Sequence, residues 1–351
     1  MRKRILVTPL NWGLGHATRC IPIVYALLEH GFTPIIASDG AALNLLKKEF
    51  PKLTFDELPP YNVTYAKKAH LFKWKLLKDS PKLLNAINEE RRVTALLIEK
   101  HNIDGIVSDN RLGVNSKKVP SVFITHQLNV LSGNTTWLST KIHQKVIDKF
   151  DECWVPDNEN SPNLSGKLGH AENTRLPVRY IGPLSRFEKC DIPIAYDIMV
   201  LLSGPEPQRS LLEEKLLKDL KEFKGSVLFV KGKVEEEVVV TKSGNLTIYN
   251  YMRGKALEEA INASQFILSR SGYTTVMDLA KIGKKAFFIP TPGQFEQEYL
   301  ATMLDHLHLV PTCSQDDFKI ELLNVVEEYD GLSIECTPPD YNALFSLFQR
   351  E

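Results

Sequence analysis

The sequence predicts an α/β chain made of two doubly wound, Rossmann-like units with parallel sheets. Strand-like apolar runs alternate with amphipathic segments from end to end, the grammar of parallel sheets wound with helices. The length, 351 residues, suits two domains that each bury a core. A stretch rich in Gly, Pro and charge, "YIGPLSRFEKCDIP" at 180–193, separates two halves that repeat the same alternation. The junction is placed there: 1–183 is the first domain, 184–335 the second, and 336–351 a C-terminal segment. Two such domains facing across a cleft bind ligand at the carboxyl ends of their strands.

In the first half, strands are expected near 4–9, 34–38, 53–56, 105–108, 121–125 and 152–155. In the second they are expected near 197–202, 226–230, 246–249, 266–269 and 285–289. Helical periodicity marks 16–30, 82–100, 208–222, 254–263, 274–283 and 296–307 between them. Lysine plus arginine equals aspartate plus glutamate at 43 each, so no global field recruits nucleic acid. The five cysteines are scattered and no Cys/His cluster has metal-ligand spacing, which suggests a reduced, cytoplasmic chain with no metal. The apolar run behind Met1-Arg-Lys-Arg ends at Pro9, too short for a signal sequence, and nothing approaches a transmembrane span.

Residues 8–20, "TPLNWGLGHATRC", join the first strand to a helical pattern carried by Ile21, Val24, Tyr25 and Leu28. Gly13 and Gly15 occupy that turn, where free backbone N–H groups and the helix dipole favour an anion. Gly13-x-Gly15-x-x-Thr18 with Asp39 also fits part of a dinucleotide fingerprint, although Thr18 replaces the third glycine. His16 has no place in that fingerprint.

The second half carries "QFILSRSGYTTVMDLAKIGKKAFFIPTPGQFEQEYLA" at 265–301. Ser271 and Gly272 at a helix start can hold phosphate through backbone N–H groups. Asp278, one turn beyond Thr275, can accept both ribose hydroxyls, and Gln297 and Glu298 suit the hydroxyls of a sugar ring.

These residues resemble the donor-binding segment of GT-B glycosyltransferases, especially the MurG-like enzymes of glycosyltransferase family 28. The family's R-S-G-x-x-T-x-x-E helix start reads here Arg270-Ser271-Gly272, Thr275 and Asp278, followed by Pro290 and Gln297-Glu298. Aspartate stands in place of the usual glutamate, and Glu298 stands where a second glutamine is common. "VLLSGPEPQRS" occupies the place of the Gly-rich loop near the diphosphate, with Ser203 and Gly204 fitting and Pro205 and Pro207 unusual. "IYNYM" matches the segment that holds uracil by backbone groups, around Tyr251 and Met252.

The resemblance implies a GT-B enzyme that transfers an N-acetylhexosamine-like sugar from a UDP-sugar, with inversion, to a hydroxyl acceptor, lipid-linked or part of an envelope glycan. His16 becomes the general base, and backbone donors at 203–204 and 271–272, with Arg270, meet the leaving diphosphate. Asp109, His126 and Gln127 end strands on the acceptor side. The C-terminal helix is expected to pack back toward the first domain, and no cofactor or metal is required. A UDP-sugar hydrolase, as in the pseudaminic-acid pathway, shares the G-x-G-H turn and stays open. An NAD(P)-dependent oxidoreductase and a non-catalytic nucleotide-sugar-binding protein also stay open. Lys67, Lys68, Lys73, Lys75 and Lys78 interleave with Leu71, Phe72, Trp74, Leu76 and Leu77 in 66–84, a pattern suited to peripheral contact with the inner face of an anionic membrane.

Overall fold

The computed structural model describes residues 2–61, 72–133, 135–172, 174–233, 235 and 237–349, and of 72–83 the backbone alone. Of the expected membrane-contact segment at 66–84, residues 66–71 and the side chains of 72–83 therefore lie outside what is described. The chain divides into two compact units: residues 1–161, 167–186 and 337–351, and residues 162–166 with 187–336.

Unit 1 is a parallel seven-stranded sheet in the order β3-β2-β1-β4-β5-β6-β7. Its elements in chain order are β1 (Arg4–Pro9), α1 (Gly15–Glu29), β2 (Thr33–Ser38), α2 (Gly40–Glu49), β3 (Thr54–Glu57) and α3 (Phe72–His101). They continue with β4 (Gly105–Asp109), β5 (Ser121–Ile124), α4 (Thr136–Ile147), β6 (Glu152–Val155) and β7 (Val178–Tyr180). Central strands read as unbroken apolar runs because helices cover both faces, and Ile5, Leu6, Val7, Ile106 and Val107 are all fully buried. Strand β1 pairs with β2 on one side and β4 on the other, with Pro9 opposite Asp109. Strand order reverses at that point, so the loop after β1 and the end of β4 open side by side at the sheet's carboxyl edge. The C-terminal segment forms a short helix, α9 (Tyr341–Phe345), and a 3-10 turn. Its Phe345 packs edge-on to Phe32 at 5.6 Å, and Phe348 reaches Trp154 at 6.3 Å.

Unit 2 holds β8 (Tyr196–Leu201), α5 (Gln208–Asp219), β9 (Val227–Val230), β10 (Val240–Ser243), β11 (Leu246–Tyr249) and α6 (Gly254–Asn262). Then come β12 (Ser264–Ser269), α7 (Tyr273–Ile282), β13 (Lys285–Phe288) and α8 (Phe295–His306). The six strands run in the order β10-β11-β9-β8-β12-β13, parallel except for the β10–β11 hairpin. Here the reversal falls at β8, flanked by β9 and β12, and Leu201 stands opposite Ser269. The loops that follow β8 and β12 are thereby neighbours.

The strands expected from apolar runs form within a residue or two of the expected positions. Strands β7 and β10 do not announce themselves, since neither carries an apolar run: β7 is half-buried and β10 is exposed along its whole length. Helix α3 begins at Phe72, ten residues ahead of the expected 82. Helices α2 and α4 were not anticipated, and α4 buries only Ile147.

Candidate active site

In unit 1 the turn after β1 carries Gly13 with φ +75°, a left-handed conformation that favours glycine, whereas Gly15 is already the first residue of α1. Helix α1 then points one face at the end of β4. His16 Nδ1 lies 2.8 Å from Asp109 Oδ1. Arg19, one turn on, donates Nε–H to Asp109 Oδ2 at 2.5 Å and Nη2–H to Asp109 Oδ1. Its Nη1 stands 3.2 Å from His126 Nδ1, and its Nη2 is also 2.8 Å from His16 Nδ1. Cys20 directs its thiol at Asp109 Oδ2, 3.6 Å away.

Asp109 and Arg19 are buried, while His16 keeps 15% of its side chain exposed. Burial pushes the Asp109 carboxyl upward, but the Arg19 guanidinium and then the His16 ring outweigh it and hold its pKa at about 2. The ionised carboxylate faces His16, whose own pKa is lowered: burial disfavours the imidazolium, Asp109 favours it, and Arg19 works against it. The lowered pKa favours the neutral imidazole, and in the tautomer that donates Nδ1–H to Asp109 the free Nε2 is the basic nitrogen a general base needs.

His16, Asp109 and His126 thus meet around Arg19, which contacts all three. Arg19 sits inside the opening motif yet escaped sequence reading, because an arginine in a helix usually marks a solvated face. Gln127 is the half-buried residue after His126, with its backbone N–H on the Thr125 hydroxyl at 3.1 Å. His143 on α4 was also missed. Its Nε2 is buried with no hydrogen-bond partner among the described residues, its ring meets Phe123 edge-on, and burial with the nearby His126 lowers its pKa to about 4 against the opposing effect of the Gln127 backbone.

Asp39 is not presented to a ribose. It accepts from the buried Arg111 and from Asn11 Nδ2 at 3.0 Å, and Arg111 also holds Glu90 at 2.8 Å. Its charge is already met inside the unit, which removes the support it lent to a dinucleotide fingerprint.

In unit 2 the loop after β8 exposes Ser203 and Gly204, the latter at φ +106°. Gly272 caps the start of α7 with extended backbone and no side-chain cap. Space is open within 4 Å of where its Cβ would lie. Thr275 and Asp278 follow one turn apart on α7, both half-buried. Ser271 is buried and donates its hydroxyl to the Gln297 carbonyl at 2.8 Å. Gln297 Oε1 accepts the Thr291 N–H at 2.8 Å, so its amide nitrogen is the group left for a ligand. Glu298 is held through Oε1 by the Gly293 N–H, also at 2.8 Å. Tyr251 is buried with its N–H taken by Asn250 Oδ1 at 3.0 Å. The half-buried Met252 has no backbone hydrogen bond among the described residues.

Arg270 departs from its expected contact with diphosphate. Its Nη1 donates to the Ile289 and Pro290 carbonyls at 3.0 and 2.9 Å. Its Nη2 donates to the Gln208 carbonyl at 2.9 Å and Gln315 Oε1 at 2.7 Å. The guanidinium is turned inward as a clamp on the loops around the site, and burial lowers its pKa to about 10.

Helix α4 has an inverted face. Thr140, His143 and Gln144 turn inward, with Thr140 Oγ1 accepting the Val130 N–H and Gln144 donating to the Leu128 carbonyl. Trp137, Leu138 and Ile142 stay 68%, 51% and 58% exposed, with Lys141 Nζ 4.2 Å above the Trp137 ring. No described helix is long and apolar enough to cross a membrane.

Residues 208–329 match the model of the glycosyltransferase family 28 C-terminal domain. The chain is 25% identical over 304 residues to a Clostridium tetani enzyme, UDP-N-acetylglucosamine–N-acetylmuramyl-(pentapeptide) pyrophosphoryl-undecaprenol N-acetylglucosamine transferase. That match covers 83% of this chain and 78% of the relative. An uncharacterized glycosyltransferase of Methanosarcina acetivorans is 24% identical over 333 residues, 86% of this chain and 83% of its own. Among solved structures, Acinetobacter baumannii MurG superposes with a TM-score of 0.59 at 14% identity, covering 99% of this chain and 100% of that one. The Streptomyces glycosyltransferase SsfS6, complexed with thymidine diphosphate, superposes at 0.64 with 12% identity, covering 99% and 100%. At such identities the likeness to solved structures speaks for the fold. Together with the sequence relatives and the two parallel-sheet units, it makes the chain a GT-B glycosyltransferase related to the family 28, MurG-like enzymes.

Proposed function

We propose that the protein transfers an N-acetylhexosamine-like sugar from a UDP-sugar to a hydroxyl acceptor with inversion at the anomeric carbon. The observation that carries the reading is the His16–Asp109 pair, an imidazole whose Nδ1 lies 2.8 Å from a buried carboxylate at the switch point of unit 1. The acceptor oxygen attacks the anomeric carbon, His16 Nε2 takes its proton, and the bond to the diphosphate breaks to release UDP. Asp109 stabilises the imidazolium that forms.

Unit 2 supplies the donor contacts. The Met252 backbone suits the base, Asp278 the ribose, Gln297 and Glu298 the sugar. The amides of the 203–204 loop and the α7 start suit the diphosphate. These groups meet the leaving charge without a metal, so EDTA is expected to leave turnover intact. The inverted face of α4, apolar and lysine-bearing with no acidic residue, supports an acceptor presented at an anionic lipid surface. The 66–84 pattern points the same way.

The test is product analysis. UDP release that requires an acceptor and yields a glycosylated product supports the reading, whereas stoichiometric UDP and free sugar without any acceptor identify a hydrolase.

A further inference from the structure

Three buried side-chain atoms in unit 2 lack a hydrogen-bond partner among the described residues: Gln208 Oε1, Arg270 Nε and Thr291 Oγ1. A buried polar atom left unpaired is costly, and such atoms are few in native structures. These three are not scattered. Arg270 joins them, donating to the Gln208 carbonyl and to the carbonyl of Pro290, the residue before Thr291. Arg270 is 1% exposed, and no carboxylate among the described residues contacts it. A buried cation held only by neutral oxygens leaves the neighbourhood short of negative charge.

Thr291 is 3% exposed and tightly held. Its N–H is bonded to Gln297 Oε1, and its carbonyl accepts the Gln294 N–H at 3.0 Å. Only the hydroxyl is unspent. It faces the loop after β8: a Cβ built on Gly204 would lie 3.9 Å from Thr291 Oγ1, with nothing else within 4 Å of it. The positive φ of Gly204 keeps that position bare. An orphan donor, a buried unpaired cation and a bare, exposed glycine loop therefore converge on one small region.

We propose that the Thr291 hydroxyl donates a hydrogen bond to a phosphate of the nucleoside diphosphate bound by unit 2, and so acts as a donor-positioning residue. This rests on the reading of unit 2 as the UDP-sugar-binding unit. Arg270 contributes charge from behind the loop without touching the ligand. In the free protein the hydroxyl is a liability, and in the complex it becomes a charge-assisted bond.

The isosteric change Thr291→Val separates these states, with titration calorimetry against UDP and uridine and thermal unfolding of the ligand-free full chain. A hydrogen bond to a charged acceptor corresponds to about a tenfold to hundredfold change in affinity. UDP binding to Thr291→Val is expected to weaken by that factor while uridine binding is unchanged. The ligand-free melting temperature is expected to hold or rise, because an unsatisfied buried hydroxyl has been removed. Thr291→Ser, which keeps the hydroxyl, is expected to retain most of the UDP affinity. Equal UDP affinity in wild type and Thr291→Val overturns the proposal and leaves the donor reading standing. A lower melting temperature with equal losses for UDP and uridine also overturns it, by assigning the hydroxyl a structural role. Wild-type protein that binds no UDP defeats the donor reading itself, and the proposal with it.

Discussion

His16 and Asp109 are 93 residues apart in the chain and 2.8 Å apart in space. Parallel pairing of β1 with β4 brings them together, since the helix that carries His16 starts just beyond the strand lying beside the end of β4. Arg19 completes the arrangement by bonding both Asp109 oxygens, so the carboxylate stays ionised although no solvent reaches it.

His16→Ala is expected to lower turnover about 10²–10⁴-fold, the usual contribution of a general base, while UDP affinity stays nearly constant. Steady-state rates on the true acceptor and calorimetry with UDP check both halves. Full turnover in the variant would make the imidazole a structural partner of Asp109 and Arg19.

The acid limb of kcat/KM should lie below pH 6.5. The working form is the neutral ring, and a pKa lowered from the ordinary 6.5 keeps the ring neutral further into acid. The limb should vanish in His16→Ala. Nitrogen-15 NMR of wild type at pH 7.5 should show His16 neutral with its proton on Nδ1, toward Asp109. A proton on Nε2 would mean that Nδ1 accepts from Arg19 instead, and would remove His16 as the base.

Asp109→Asn keeps the shape of the side chain but strands the buried Arg19 charge. Breaking one partner of a buried pair typically costs about 3–5 kcal/mol, and urea unfolding should show a loss of that size. A loss under about 1 kcal/mol would mean that Arg19 finds a substitute partner.

Asp278→Ala should weaken UDP binding by about one to two orders of magnitude, as expected for loss of a charge-assisted hydrogen bond to ribose. Binding of 2′,3′-dideoxy-UDP, which has no ribose hydroxyls, should be the same for wild type and variant. Unchanged UDP affinity with an intact circular dichroism spectrum would take Asp278 out of the site.

Replacing Trp137, Leu138 and Ile142 together with serine should abolish co-sedimentation with anionic vesicles at low salt. These side chains are exposed, so the fold and UDP binding should survive. Wild-type binding should weaken as salt rises, because the lysines contribute through a screened field. No wild-type binding at low salt would favour a soluble acceptor.

The sequence by itself determined the two doubly wound units, their main strands, and the loops in which the candidate site residues sit. Those signals are local: an unbroken apolar run such as Ile5-Leu6-Val7 reports burial on both faces, and Gly13 before His16 reports a tight turn. The same kind of local signal singles out Asp278, Gln297 and Glu298 as candidates. What each polar side chain spends its hydrogen bonds on was decided only by tertiary structure. Arg270 stands in a motif that suggested phosphate, yet four internal oxygens take its guanidinium. Asp39 stood where a ribose acid belongs, yet Arg111, distant in sequence, neutralises it. Arg19 showed no local sign of its role, because its partner Asp109 is supplied by β4. Strand order sets which distant side chains meet at a sheet's carboxyl edge, and a hydrogen bond depends on that meeting, to within a few tenths of an ångström.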